Sequence, residues 1–431
     1  MLNFFLEKIS LYNLVRNLFY LFPLFIMFPS GFITAYVTIL LVVTGIFFYC
    51  QKIKVKFDYL DLLLIFFFLT ALISSLLNIN ILGSFLFIKS ILDFRFVILF
   101  ILIRKIIEYK LVKLKIFFLV SLLCALFLSI DIFFQHINDK DLFGNAPFDG
   151  RFNGTFGHEA IAGGYIQKKF LFALSVIFLL KIKNLNRFFL LNFVTIILGL
   201  GVLLSFDRMP FLIFLFIIIL IIIILRKYRV IFSLNLIFLL AVFITLFYGY
   251  EKLQNRYSSL YDEFDIKKIK NFSNINIINQ IKSLNVQEEN KKEFIGYFKI
   301  YKSVFYLWSE NPIIGSGTRS FQKVCLNKQL NANNFACSTH PHNIYLEILS
   351  NQGLLGFVTF ILFVITLLIN FYKKITSEIS KNKNIINILF LIILISELWP
   401  LRSYGSIFQT VNGSIFWFTL ALISSNKFLL K

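Results

Sequence analysis

The sequence predicts an all-α polytopic membrane protein with about twelve transmembrane helices, and three observations carry that reading. Hydrophobic residues fill 58% of the 431 positions and charged ones 15%, more apolar surface than one soluble core absorbs. The 57 phenylalanines, and charge-free runs such as Phe211 to Leu225, fit burial in lipid or in a helix bundle. The formal charge of +21 would point to nucleic acid in a soluble protein. Here Lys and Arg gather in short clusters between apolar runs, which is a topology signal, and no nucleic-acid partner is expected.

Taken in order, the apolar spans run over roughly 17–29, 31–50, 58–78, 84–103, 114–135, 161–180, 188–205, 210–225, 230–250, 343–372, 384–399 and 412–426. Basic clusters at Lys52/Lys54/Lys56, Arg104/Lys105/Lys110/Lys113/Lys115, Lys181/Lys183/Arg187, Arg226/Lys227/Arg229 and Lys373/Lys374/Lys381/Lys383 fall at every second loop. All of them can face the cytoplasm together, with both termini, while the loops near Pro29, Ile79, Asp207 and Tyr404 are poor in Lys and Arg and face outward. The first span begins after Arg16 and runs straight into the second across Pro29-Ser30-Gly31, so no cleavable signal peptide is expected.

This divides the chain into 1–250, with nine spans and a first outer segment near 136–160; 251–342, a large outer loop; and 343–431, the last three spans. The two outer segments are long enough to hold function; the other loops read as connections. Within the large loop an Asn- and Lys-rich stretch reads as a solvated linker. Phe294, Phe298, Tyr301, Phe305 and Trp308 then recur at three- and four-residue spacing, as on an amphipathic helix over Glu293 to Glu310 that either packs on the bundle or faces a substrate.

Four histidines, His136, His158, His340 and His342, all fall on the outer side. In Ser338-Thr339-His340-Pro341-His342-Asn343, Pro341 fixes the chain and biases His340 to an extended conformation. Asn343 is placed to cap the following helix, and the positive end of that helix would keep His342 neutral and able to take a proton. Gly353 and Gly356 further down permit close approach of a helix or a substrate. Cys325 and Cys337 lie outside the membrane, where thiols oxidise, so a disulfide restraining the His-Pro-His-Asn segment is expected; the rival is a zinc site with His340 and His342. Arg151, Lys168, Lys169, Arg208, Arg256 and Arg319 are basic groups at outer membrane edges. Lys168 and Lys169 fall inside the sixth span, where they need a polar cavity or a partner. Arg208 either pairs with its neighbour Asp207 or joins the others around a pyrophosphate, which guanidinium groups grip with paired hydrogen bonds. Lys89, Asp93 and Arg95 in the fourth span read as a buried charge network.

His342-Asn343 followed after nine residues by Gly353-Leu354-Leu355-Gly356, and the preceding Asn311-Pro312-Ile313-Ile314-Gly315-Ser316-Gly317, resemble the signatures of the O-antigen ligase and O-antigen polymerase superfamily of bacterial membrane glycosyltransferases. Arg151 to Glu159 and Ser205 to Arg208 are similar to its outer loop and its Ser-x-x-Arg stretch. The resemblance implies a C-type glycosyltransferase bundle, a ligase-like region over about 188–365, and a multi-pass protein of the bacterial inner membrane with a periplasmic active site. It implies an O-antigen ligase that transfers glycan from undecaprenyl pyrophosphate to lipid A-core by inverting transfer, with no metal and no cofactor. His342 would be the catalytic base, and Arg208, Arg256, Arg151, Lys168, Lys169, Arg319, His340 and Asn343 would bind pyrophosphate or glycan. The alternatives are a polymerase joining lipid-linked repeat units, a protein O-oligosaccharyltransferase and, in another class, a lipid-linked glycan flippase or transporter.

Overall fold

The structure is a computed structural model that describes residues 2–159, 161–251, 253–257, 297–330, 335–377 and 381–425. Helices dominate it because a backbone that leaves water must satisfy its N–H and C=O groups within its own segment. Eleven helices precede the large loop: α1 Leu2–Phe25, α2 Ser30–Cys50, α3 Tyr59–Leu77, α4 Ile79–Leu82, α5 Ser84–Leu92, α6 Phe94–Glu108, α7 Leu114–Asn138, α8 Ala162–Leu179, α9 Asn184–Leu204, α10 Arg208–Ile224 and α11 Arg229–Gly249. Among the described residues two lie within it, α12 Tyr297–Glu310 and α13 Phe321–Asn327, and three follow, α14 Ile344–Ser377, α15 Lys381–Glu397 and α16 Thr410–Ser424. Phe294, the Asn/Lys-rich stretch and the first turn expected for 293–310 lie outside the described residues.

A helix stands at each of the twelve expected positions. Among the described residues, seven helices have the length and composition to cross a membrane, and α10, α15 and α16 contribute shorter apolar stretches. The expected fourth span is not continuous. It breaks into α5 and α6 at Asp93, whose buried carboxylate bonds the Arg319 guanidinium. The apolar flanks hid that break, because hydropathy alone does not separate one helix from two.

The bundle has an inside and an outside. The lining of α8 and α16 is almost wholly buried, whereas α11 and α14 keep large apolar side chains such as Val230, Ile237 and Val358 on the surface. That inversion suits helices whose outer faces meet lipid tails. α8 packs on α7, α9, α10 and α15, and α16 packs on α6 and α2. Phenylalanines fill the seams: the Phe22 and Phe418 rings stack with centroids 3.6 Å apart, and Phe118 stacks on Phe172 at 5.6 Å.

Arg104 and Lys105, counted above among the topological charges, are folded into an ion network. Arg104 is fully buried and bonds Asp58, at 2.5 Å, and Asp61, which ties α6 to the start of α3. Asp58 also caps α3 by accepting from the Asp61 amide. Removing either member would strand a buried charge, a far larger cost than losing a surface pair.

Candidate active site

His342 sits where the large loop re-enters the bundle. Asn343 caps α14: its Oδ1 accepts from the amides of Tyr345, 3.0 Å, and Leu346, 3.2 Å, and its Nδ2 donates to the Pro400 carbonyl, 2.6 Å. The side chain that satisfies the helix start thus also holds the 399–409 segment. His342 itself takes φ +58°, the left-handed region that a non-glycine residue enters at a cost. Its carbonyl accepts from the Tyr404 amide at 2.8 Å. Its Nε2 lies 3.0 Å from Ser338 Oγ, and its ring lies 4.1 Å from that of His340 and edge-on to Tyr297 at 5.5 Å. Burial, and then the neighbouring His340, lower the pKa of His342 to about 4, so the imidazole is neutral at physiological pH.

A break in α14 aims this corner. Gly353 has φ +62° and ψ −159°, and the Pro312–Gly317 turn fills the gap. The amides of Ser316 and Gly317 donate to the carbonyls of Ser350 and Asn351 at 2.9 and 2.8 Å, and those of Leu354 and Leu355 donate to Pro312 and Ile313 at 2.8 and 3.1 Å. Bonds that a continuous helix would make within itself are made to a second segment. A Cβ on Gly353 would lie 2.4 Å from the Ile313 carbonyl oxygen, and one on Gly315 would lie 2.5 Å from the Gly353 nitrogen. The two glycine motifs are therefore two halves of one joint.

Beside the histidines lies a cavity of about 210 Å³ lined by Arg151, Lys168, Lys169, Arg208, Arg256 and Arg402, with Tyr297, Ser403 and Tyr404 on the wall toward His342. Asp207 also lines it, pairing with Arg151 at 3.4 Å and accepting from the Gly163 amide at 3.1 Å. Burial raises Asp207 to about 6 against the opposing pull of Arg151. Among the described residues the ion pair of Asp207 is with Arg151, not with its neighbour Arg208, whose Nη1 donates to the Arg256 carbonyl at 2.7 Å. Arg256 donates from Nε to the Phe206 carbonyl, 3.2 Å, and from Nη1 to the Asp149 carbonyl, 2.9 Å, joining the two outer loops.

Glu397, buried against these lining residues, receives the Tyr404 hydroxyl at 2.6 Å, Lys168 Nζ at 3.3 Å and Arg402 Nη1 at 3.5 Å. Lys168 also donates to the Tyr404 hydroxyl at 2.5 Å, and Arg402 donates to Gln167 Oε1 at 3.0 Å. Lys169 is 2% exposed, lies over the Tyr165 and Phe172 rings at 5.4 and 5.7 Å, and among the described residues has no carboxylate within ion-pair distance, Glu397 being paired with Lys168 and Arg402. An ammonium held this way inside a span needs an anion from elsewhere.

Of the residues singled out by sequence, Arg151, Lys168, Lys169, Arg208 and Arg256 thus meet in one cavity; His340 and His342 do not line it but contact its lining residues Tyr404 and Tyr297, and Asn343 bonds Pro400. Arg319 does not line it. Its guanidinium bonds Asp93 and the Phe408 carbonyl, while Arg95 donates to Thr410 at 2.9 Å, so this network clamps the 399–409 segment from its other side. Lys89 lies over the Phe85 ring at 4.1 Å. His136 contacts Tyr250 and Phe152, and His158 contacts Phe148. Cys325 and Cys337 are bonded to each other, which leaves no thiolate for zinc. Glu397, Arg402 and Tyr404 escaped the sequence reading because their loop looked like a short connection; an acid, a base and a phenol within eight residues between apolar spans was the signal.

The family model described as O-antigen ligase matches residues 193–361, which run from α9 past the joint at Gly353. An uncharacterized protein of Haemophilus influenzae (strain ATCC 51907 / DSM 11121 / KW20 / Rd) is 27% identical over 165 residues, 37% of this chain. The match spans 39% of that relative's length. The matched family segment holds Arg208, Arg256, the disulfide and His342, whereas Arg151, Lys168, Lys169, Glu397 and Arg402 come from elements on either side of it. Over that segment, 193–361, the chain is similar to the O-antigen ligase family.

Proposed function

We propose that this protein is an inverting glycosyltransferase of the O-antigen ligase type, which takes a glycan from undecaprenyl pyrophosphate and transfers it to lipid A-core at the periplasmic face of the inner membrane. The observation that carries the reading is Tyr404. Its backbone binds both histidines while its side chain sits in the cation cavity, so a neutral base and a cluster of positive charge share one wall. The acceptor hydroxyl attacks the anomeric carbon and its proton passes to His342. The bond from that carbon to the pyrophosphate oxygen breaks with its electron pair going to the phosphate. Lys169, Arg208 and the cations around them hold the leaving dianion in a site shielded from water, where such charge stabilisation is strongest. The alternating basic loops support twelve spans with both termini cytoplasmic, an arrangement in which this crevice faces outward.

The test is transfer by purified protein in nanodiscs, from lipid-linked glycan to lipid A-core and, separately, to a second lipid-linked unit. Loss of a general base lowers turnover by about 10²- to 10⁴-fold, and His342→Ala should fall in that range at unchanged protein level and membrane insertion. Lys169→Met should raise KM for the donor. Full activity in His342→Ala would remove the base assigned here, and extension of the lipid-linked unit instead of transfer to lipid A-core would make the protein a polymerase.

A further inference from the structure

The imidazole of His342 has two nitrogens, and a base needs one of them free and pointed. Nε2 lies 3.0 Å from Ser338 Oγ, and Nδ1 has no partner among the described residues. His340 is different. Its Nε2 faces the Tyr404 carbonyl at 3.2 Å, which can only accept, so Nε2 carries the proton and Nδ1 accepts from the Thr339 hydroxyl at 2.9 Å. Both of its nitrogens are used. The hydroxyl on His342 is ambiguous by itself, since it donates or accepts, and its effect depends on how firmly Ser338 is held.

It is held firmly. Ser338 follows Cys337, whose disulfide reaches Cys325 on α13, with Cα atoms 5.6 Å apart. Cys325 is fully buried in a small core with Ile300, Val304 and Leu307 of α12 and Phe321 of α13. One residue before Cys337, the Ala336 amide donates to Ser303 Oγ at 3.1 Å, and the same hydroxyl donates to the Ala336 carbonyl at 2.9 Å. On the other side, the Asn343 cap fixes the chain to α14. The tripeptide 336–338 is pinned to α12 and α13, outside the bundle proper, while His342 is pinned to the bundle.

We propose, building on the glycosyl-transfer reading, that the Cys325–Cys337 disulfide and Ser303 hold Ser338 as a positioning residue that accepts the Nε2 proton of His342 and thereby leaves Nδ1 as the base. The chemistry at the rim then depends on an oxidised loop. In this role Ser338 acts through His342, selecting the tautomer and the ring orientation.

Two readouts test this, and one does not depend on transfer. Solid-state ¹⁵N spectra of histidine-labelled protein, which has four histidines, with His342 assigned from His342→Ala, should show a single Nε2–H tautomer. Ser338→Ala, Cys325→Ala/Cys337→Ala, and wild type treated with a phosphine reductant should each show mixed tautomers. Turnover in all three should fall about tenfold, the worth of one orienting hydrogen bond, with donor KM unchanged, and Ser338→Thr should restore both readings. The reductant should have no further effect on the double cysteine variant. An Nδ1–H tautomer in wild type, or unchanged spectra and turnover in Ser338→Ala, overturns the proposal. Retained transfer in His342→Ala would refute the assigned base and leave the tautomer result standing by itself.

Discussion

Burial acts in opposite directions on His342 and Asp207, because one is charged when protonated and the other when not. His342 takes up its proton only near pH 4 in the folded protein but at 6.5 in an open chain, so between those values the unfolded state binds more protons and acidification weakens the fold. Asp207 is protonated near 6 when folded and at 3.8 when open, so over nearly the same range acidification favours the folded state. His340, whose pKa is also lowered by burial, adds to the first effect. The contributions oppose one another in wild type and separate in variants. Between pH 7 and 4.5, His342→Gln should gain thermal stability relative to wild type, and Asp207→Asn should lose it; melting temperatures in detergent at the two pH values check both signs. Transfer should keep its base down to about pH 4, in contrast to an exposed imidazole, which titrates near 6.5.

Among the elements, α14 shows what a glycine motif is for. Sequence reading gave Gly353 and Gly356 one role, close approach of a helix or a substrate, and the structure separates them. Gly353 has a positive φ and faces another segment's backbone, whereas a Cβ on Gly356 would meet the side chain of Gln352, one turn away in its own helix. Gly353→Ala is strained twice, by a left-handed conformation that costs of order 1–3 kcal/mol and by a backbone oxygen 2.4 Å away that cannot move without opening the joint. It should lower the melting temperature and transfer together. Gly356→Ala carries only the steric cost of a Cβ 2.3 Å from the Gln352 Cβ, which no change of rotamer moves, and without a left-handed φ it should lower the melting temperature by less. Thermal unfolding followed by tryptophan fluorescence distinguishes the two. The break at Asp93 teaches the converse: no glycine or proline marks it, and an acid between apolar runs became legible only once Arg319 stood beside it.

At the scale of the molecule, helices and their approximate positions were legible because a membrane leaves the backbone few alternatives, and the basic loops add an orientation. The proposed arrangement puts the end of α2 at the cytoplasmic surface. Cys50 is exposed there, Cys124 is buried and the other two cysteines are bonded together, so a membrane-impermeant maleimide should label wild type in inverted vesicles and not in intact spheroplasts. Labelling from outside would reverse the topology. The cavity was half legible: lysines inside a span declare themselves, but nothing in the order of the residues brings Glu397 and Arg402 to Lys168 and Gln167, which lie more than two hundred positions away. The joint at Gly353 has one more implication, for inheritance. Residues 312–317 and 350–355 complete each other's backbone bonding, so neither strip is whole when it comes from a different parent. Hybrids between this chain and its relatives should tolerate crossovers before Asn311 or beyond Gly356 and lose the histidine corner when the seam falls between them, which makes that interval the smallest piece that evolution, or a protein engineer, can trade intact.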